Sequence, residues 1–252
     1  MDELLRATYE AEQRHFWYRG FRRFVRPFVA DAVAGREAPR LLDAGCGTGG
    51  NLGLLAEFGR AFGFDVTWTG LRFATARGRR PVACARAGAI PFRAAIFDVV
   101  TSFDVLYCLE EPEEQSAVAE MFRVLRPGGA LVINVAAMTL LHGNHSVFDG
   151  EVRRYTRRRL RPHLERAGFE IIRMTHTNAS LFLPMLIIRS WQRYRGLAPP
   201  GAAHSDFGRP SAVVNTVLSA VLAIEAGAVR WVDLPLGSSI LCLARKPEDP
   251  PG

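Results

Sequence analysis

The run Arg40-Leu41-Leu42-Asp43-Ala44-Gly45-Cys46-Gly47-Thr48-Gly49-Gly50-Asn51 constrains the chain more than any other stretch. Leu41 and Leu42 read as the end of a buried strand, and from Asn51 the apolar spacing turns helical through Leu52, Leu54, Leu55 and Phe58. Between them lies a turn with glycine at 45, 47 and 49. A strand that feeds a helix through such a turn lets backbone approach a ligand closely, because glycine has no side chain to block it. The helix N-terminus adds unpaired N–H groups at the same place.

The detail departs from a dinucleotide site. Pyrophosphate binders carry G-x-G-x-x-G, whereas this turn reads D-A-G-C-G-T-G. The Asp43 carboxylate would repel a pyrophosphate and favour a ligand that carries a cation. The turn resembles the first motif, L-D-x-G-C-G-x-G, of the class I S-adenosylmethionine-dependent methyltransferases. That resemblance implies an α/β, Rossmann-like fold with a seven-stranded, mostly parallel sheet and helices on both faces. It also implies S-adenosyl-L-methionine as cofactor, with Asp43, Ala44, Gly45, Cys46, Gly47 and Gly49 around it.

Ala61 to Val66 reads as the second strand, ending in an acid. Asp65 lies 22 residues after Asp43, and an acid about 20 residues beyond a glycine turn can accept hydrogen bonds from ribose hydroxyls. Asp65 and Val66 are therefore placed at the cofactor. Trp68, Thr69 and Arg72 stand where the family has a shorter, more polar turn. A helix over 70–77 and a strand over 81–84 follow.

Ile90-Pro91-Phe92, a short gap, then Phe97-Asp98-Val99-Val100 resembles the family's L-P-F and F-D-x-V pattern. The resemblance puts Ile90, Pro91 and Phe92 near the adenine. The acid that often meets the adenine amine is absent, and Arg86 stands near its place. Residues 98–103 form the fourth strand, and its C-terminal end makes Phe103 and Asp104 site candidates. The family's D-V-L-E-H-L is here D-V-L-Y-C-L, with Cys108 replacing the histidine. A helix over 111–127 leads through R-V-L-R-P-G-G-A-L-V-I into a fifth strand over 131–135.

The segment His142 to Tyr155 follows a strand end, where substrate-facing loops belong. Relatives show H-D, a gap, then G-H-x-R-R-Y; Ser146 and Glu151 replace the aspartate and the second histidine, while His145, Arg153, Arg154 and Tyr155 match. Arg153 and Arg154 would suit an anionic substrate group. His145, His15 and Tyr155 are the catalytic candidates, the histidines because imidazole titrates near working pH. The Cys108 and Glu151 replacements leave open a non-catalytic protein that binds the cofactor or a partner on the same fold.

Residues 2–33 read as one helical stretch around His15-Phe16-Trp17-Tyr18-Arg19. Residues 1–36 are expected to form a lid, with Trp17 and Tyr18 over the cofactor. The core is expected at 37–178 and 236–247, and a helical cap at 179–235. Thr156 caps a helix to Ala167, and residues 169–174 form the sixth strand. The apolar part of 180–195 is too short to span a bilayer; it reads as a cap helix in preference to an interfacial membrane helix with Trp191, Arg193 and Arg195 at the headgroups. Residues 197–210 read as a mobile linker. The apolar stretch 211–232 is long enough to span, but Glu225 opposes that, so it reads as a cap or homodimer helix. In the family, the strand over 239–245 runs antiparallel. Residues 248–252 form a disordered tail.

With 252 residues and 48% hydrophobic content, the chain supports one α/β domain with an added cap. The net charge of +7 comes almost wholly from arginine, with Lys246 the only lysine. The arginines are dispersed and no N-P-P-Y motif occurs, so no nucleic-acid partner is expected. Cys46, Cys84, Cys108 and Cys242 form no C-x-x-C pair, which suits a reducing, cytoplasmic setting without a metal site. The first residues show no signal-peptide pattern. The expected substrate is a small molecule with an anionic group.

Overall fold

The strand Arg40–Ala44 (β1) is buried from Leu41 onward, as a parallel strand covered on both faces must be. The computed structural model describes residues 2–79, 81–199 and 210–248. In chain order the elements are α1 (Asp2–Ala11), α2 (Phe16–Val33), β1, α3 (Leu52–Leu55), β2 (Arg60–Asp65), α4 (Trp68–Ala76), β3 (Val82–Cys84) and β4 (Phe97–Phe103). Then come α5 (Glu111–Val124), β5 (Leu125–Ala136), α6 (Asn144–Phe148), α7 (Arg157–Arg166), β6 (Glu170–Thr177), α8 (Phe182–Arg195), α9 (Ala212–Val229) and β7 (Ser239–Arg245).

The sheet has seven strands in the order β3-β2-β1-β4-β5-β7-β6. β7 is antiparallel to both neighbours, and β1, β2, β3, β4 and β5 pair in parallel. Alternation along β1 sends Leu42 to one face and Leu41 to the other. On the Leu42 side the core gathers Val100, Ile133, Val118 and Met121 of α5, and Leu160 and Leu164 of α7. On the Leu41 side it gathers Phe24, Phe28 and Val29 of α2, Leu55 of α3, and Leu222 and Val229 of α9. The C-terminal ends of β1, β2 and β4 open on one edge, which positions the site.

Several elements differ from expectation. The stretch 2–33 breaks between Ala11 and Phe16, because the His15 side chain accepts a hydrogen bond from the Trp17 amide and starts a new helix. Most of α2 is then a core helix rather than a lid. The helix expected over 111–127 ends at Val124, because Leu125 already pairs with Phe97 in the sheet. Pro112 near the start and Glu111, Glu113 and Glu114 in the first turn fit its N-terminus. The 179–235 region divides: the latter part of α9 packs on α2 as a core layer, with Glu225 buried and accepting from the amides of Ala179 (2.8 Å) and Ser180 (2.9 Å). Much of the expected linker, residues 200–209, and the tail from 249 onward lie outside the described residues.

Candidate active site

The glycine loop is fastened to the end of β2. The amides of Gly45 and Cys46 both donate to the Phe64 carbonyl at 2.9 Å, and the Gly47 amide donates to Asp65 at 2.8 Å. Gly45 has φ +84°, and a Cβ there would lie 2.3 Å from Val105 Cγ2, so a larger residue is excluded by conformation and by contact. Gly47, at φ +51°, faces open space. Asp65 also accepts from the Thr67 amide at 2.8 Å and from the Thr67 hydroxyl. Its carboxylate thus stands fixed at the strand end, beside the cavity.

That cavity, about 1150 Å³, lies over the C-terminal ends of β1, β2 and β4. It exceeds the roughly 300–1,000 Å³ of a single-ligand pocket, which leaves room for a cofactor and a second molecule. Gly45, Asp65, Val66, Phe103 and Asp104 border it, as do His15, Trp17 and Tyr18 from the α1–α2 junction. Burial pushes the Tyr18 phenol up to about 12, so it stays protonated. Phe103 is braced edge-on by Phe21 at 5.2 Å.

Other residues expected at the cofactor lie elsewhere. Asp43 turns into the body of the protein, where the Thr101 hydroxyl donates to it at 2.7 Å. Burial raises its pKa to about 7, against the opposing pull of the Thr101 hydrogen bond. It is a supporting group under the loop, not a carboxylate facing a cation. Ala44 and Cys46 are buried beneath the loop, and burial raises the Cys46 thiol well above its ordinary range. Gly49 sits against Ala74 of α4. Ile90 is in the core, and Phe92 packs edge-on against Phe97 at 5.1 Å. Pro91 lies between them, and none of the three borders the cavity; Ala85, Arg86 and Ala87 do. The chain is already turning toward β4 at Ile90, so the wall is made a few residues earlier.

The far side of the cavity is polar. His145 Nε2 lies 3.0 Å from Asp149 Oδ2, one helical turn away. Arg154 pairs with Glu151 at 2.9 and 3.2 Å and donates to the Ala137 carbonyl at 3.1 Å. Asp104 takes the left-handed backbone, φ +61°, and accepts from the Asn134 amide group at 2.8 Å. Burial raises Asp104 to about 7, with Asp149 and Glu151 adding to the effect and Asn134 and Arg154 opposing it. The Cys108 thiol also borders the cavity and donates to the Asp149 carbonyl at 3.5 Å. The lining also includes the apolar Phe16, Leu181, Met185, Ile188, Val214 and Leu218, with the buried Arg189 of α8 beside them.

Tyr155 and Arg153 are not in this cluster. The Tyr155 hydroxyl is buried and donates to Glu114 at 2.6 Å. Arg153 donates to the Leu109 carbonyl at 2.6 Å and pairs with the same Glu114, which His163 approaches at 3.4 Å. A fully buried carboxylate needs such partners. These residues brace α5 and cannot meet a substrate in this arrangement.

Sequence reasoning missed Glu12. It accepts from the Thr48 hydroxyl of the glycine loop at 2.7 Å and pairs with Arg77. Arg77 in turn donates to the Tyr9 carbonyl at 2.6 Å and lies 4.1 Å from the centre of the Tyr9 ring. One buried acid therefore ties the N-terminal segment, the loop and the residue that ends α4 together. No spacing rule links positions so far apart.

Residues 42–133 match the model of the methyltransferase domain family. A probable S-adenosylmethionine-dependent methyltransferase of Mycolicibacterium smegmatis is 32% identical over 165 residues, covering 63% of this chain and 61% of the relative. Malonyl-[acyl-carrier protein] O-methyltransferase of Herminiimonas arsenicoxydans is 34% identical over 142 residues, covering 55% and 52%. The chain thus spans between half and two thirds of the length of these two curated relatives. Among solved structures, phosphoethanolamine N-methyltransferase 2 of Haemonchus contortus, in complex with S-adenosyl-L-methionine, superposes with a TM-score of 0.61 at 17% identity, covering 98% of this chain and 57% of the other; the likeness is one of fold. The matched stretch runs from β1 to β5 and includes the fastened loop, Asp65 and the end of β4. With a seven-stranded sheet whose β7 is reversed between β5 and β6, the chain has the fold of the class I S-adenosylmethionine-dependent methyltransferases, and residues 42–133 match the methyltransferase domain family.

Proposed function

We propose that the protein transfers a methyl group from S-adenosyl-L-methionine to a small amphiphilic molecule. The observation that carries this is one cavity lined by Gly45 and Asp65, by the polar His145, Asp149, Glu151 and Arg154, and by apolar side chains of α8 and α9. The residues fit the cofactor. Gly45 leaves backbone room, Asp65 offers a carboxylate to ribose hydroxyls, and Ala85 to Ala87 can wall the adenine. When bound, the cofactor supplies an electrophilic sulfonium methyl.

The chain's own contribution is positioning and proton handling. Orienting two reactants is worth roughly 7–11 kcal/mol. His145 is held by Asp149, so its imidazole can take a proton from a hydroxyl or an acid, worth about 10²–10⁴-fold. Asp104, near 7, can hold or release a proton at neutral pH. Arg153 is committed to Glu114 and Arg154 to Glu151, so an anionic head group would depend on Arg86 or Arg189, which also border the cavity. A cytoplasmic setting is part of the same proposal.

The test is calorimetric titration with S-adenosyl-L-methionine and S-adenosylhomocysteine, on wild type and Asp65→Ala, followed by transfer of a labelled methyl group to amphiphile and RNA panels. Micromolar binding lost in the variant, with label on an amphiphile, supports the reading. Binding without transfer moves the protein to the non-catalytic alternative, and label on RNA replaces the small-molecule substrate. Folded protein that binds neither compound removes the proposal.

A further inference from the structure

Helices α8 and α9 carry apolar side chains on more faces than the other described residues cover. Met185 and Ile188 of α8 border the cavity. Leu183, Ile187, Trp191 and Tyr194 run along α8 at helical spacing, between 58% and 84% exposed. On α9, Val214 and Leu218 border the cavity, while Leu222, Ala226 and Val229 are in the core. Val213, Val217 and Ile224 are exposed by 54% to 76%, and Trp231 beyond the helix by 80%. Exposed apolar side chains gathered in this number on two helices mark an interaction surface.

The charges on these helices have one sign. α8 contains no acidic residue, and the one acid of α9, Glu225, is buried and hydrogen-bonded. Arg195 lies 5.6 Å from the ring centre of exposed Trp191, and Arg230 lies 5.5 Å from that of exposed Trp231. Indole rings beside guanidinium groups, next to aliphatic side chains, match the chemistry of a bilayer interface. Apart from Asp233, which is paired with Arg173, the charges here are arginines, so a second copy would bring like charge against like, whereas anionic headgroups complement it.

α9 is long and apolar enough to cross a bilayer by length and composition. Its packing prevents that. Glu225 anchors the start of α8, and Asn215 accepts from the Phe16 amide at 2.8 Å and donates to the Arg14 carbonyl at 2.9 Å. We propose that the outer faces of α8 and α9 lie on an anionic lipid bilayer, holding the apolar cavity wall they form at the lipid surface. The docking does not depend on methyl transfer.

The experiment is co-flotation of the full chain with vesicles of phosphatidylcholine alone, or of phosphatidylcholine mixed with phosphatidylglycerol, at low and high salt. The paired variants are Arg195→Gln with Arg230→Gln, and Ile187→Ser with Trp191→Ser, each shown folded by circular dichroism. Wild type should float with the phosphatidylglycerol vesicles, less so at high salt, and not with phosphatidylcholine alone. The arginine pair should weaken binding about 25-fold, from about fivefold for each surface arginine. The apolar pair should weaken it at either salt. Folded wild type that floats with neither vesicle overturns the proposal, as does binding that all four substitutions leave unchanged. A dimer in sedimentation that the apolar pair dissolves also overturns it, since a second copy then covers the surface.

Discussion

Asp43 gives the most direct test of how the core under the loop is built. Its carboxyl is buried, with the Thr101 hydroxyl as its hydrogen-bond donor, and its pKa moves from 3.8 to about 7. At about 1.4 kcal/mol for each tenfold change in the proton equilibrium, that separation corresponds to about 4 kcal/mol. Below about pH 4, folded and unfolded chains both hold the proton. Between there and about pH 7 only the folded chain keeps it, so stability falls as pH rises. Above about pH 7 the loss is constant. Asp43→Asn keeps the shape and removes the titration. Urea unfolding from about pH 4.5 to about pH 8 should show wild type losing stability across that window, and the variant losing about 3 kcal/mol less, since about 1 kcal/mol of the effect lies below about pH 4.5. Asp104, also raised to about 7, still contributes its own share in the variant. Equal pH slopes for the two proteins would refute the reasoning, because the carboxyl would then titrate alike in both states.

Further outcomes separate acting from supporting residues. His145→Ala should lower kcat by about 10²–10⁴-fold with KM little changed, whereas Tyr155→Phe should leave kcat intact and cost about 1 kcal/mol of stability in urea, from the lost bond to Glu114. Glu12→Ala leaves Arg77 with its carboxylate gone; a loss of about 3–5 kcal/mol is expected, together with weaker cofactor binding by calorimetry because Thr48 loses its acceptor. Gly45→Ala meets both an unfavourable φ and Val105; cofactor binding should be lost in protein that still folds, as read by calorimetry and circular dichroism.

What the sequence reveals is local. The glycine turn, the acid 22 residues beyond Asp43 and the alternation of apolar runs depend on neighbours along the chain, and the seven strands follow from them. What it hides is decided by partners far away. Arg153 and Tyr155 look like loop residues facing substrate, but Glu114, about forty residues earlier, is buried and must be satisfied. Nothing around Glu114 in the sequence distinguishes it from the exposed acids of the same helix turn. The position of Asp43 before the glycines suggests a group facing the ligand; strand alternation and Thr101 turn it inward. The break at His15 depends on a side chain displacing a helical bond, which the regular spacing of Phe21, Phe24 and Phe28 conceals.

The position of β7 has a consequence for how the protein is made. β7 sits between β5 and β6 but follows both in the chain. Roughly 60 residues separate the end of β6 from the start of β7, so at about 5–20 residues per second synthesis leaves the seam open for about 3–12 seconds. Through that interval β5 and β6 each present an unpaired edge, while the apolar faces of α8 and α9 are emerging beside them. Unpaired edges are templates for wrong pairing. The sheet is therefore sealed from its own far end, and a ribosome that stalls before Ser239 releases a chain with its seam still open.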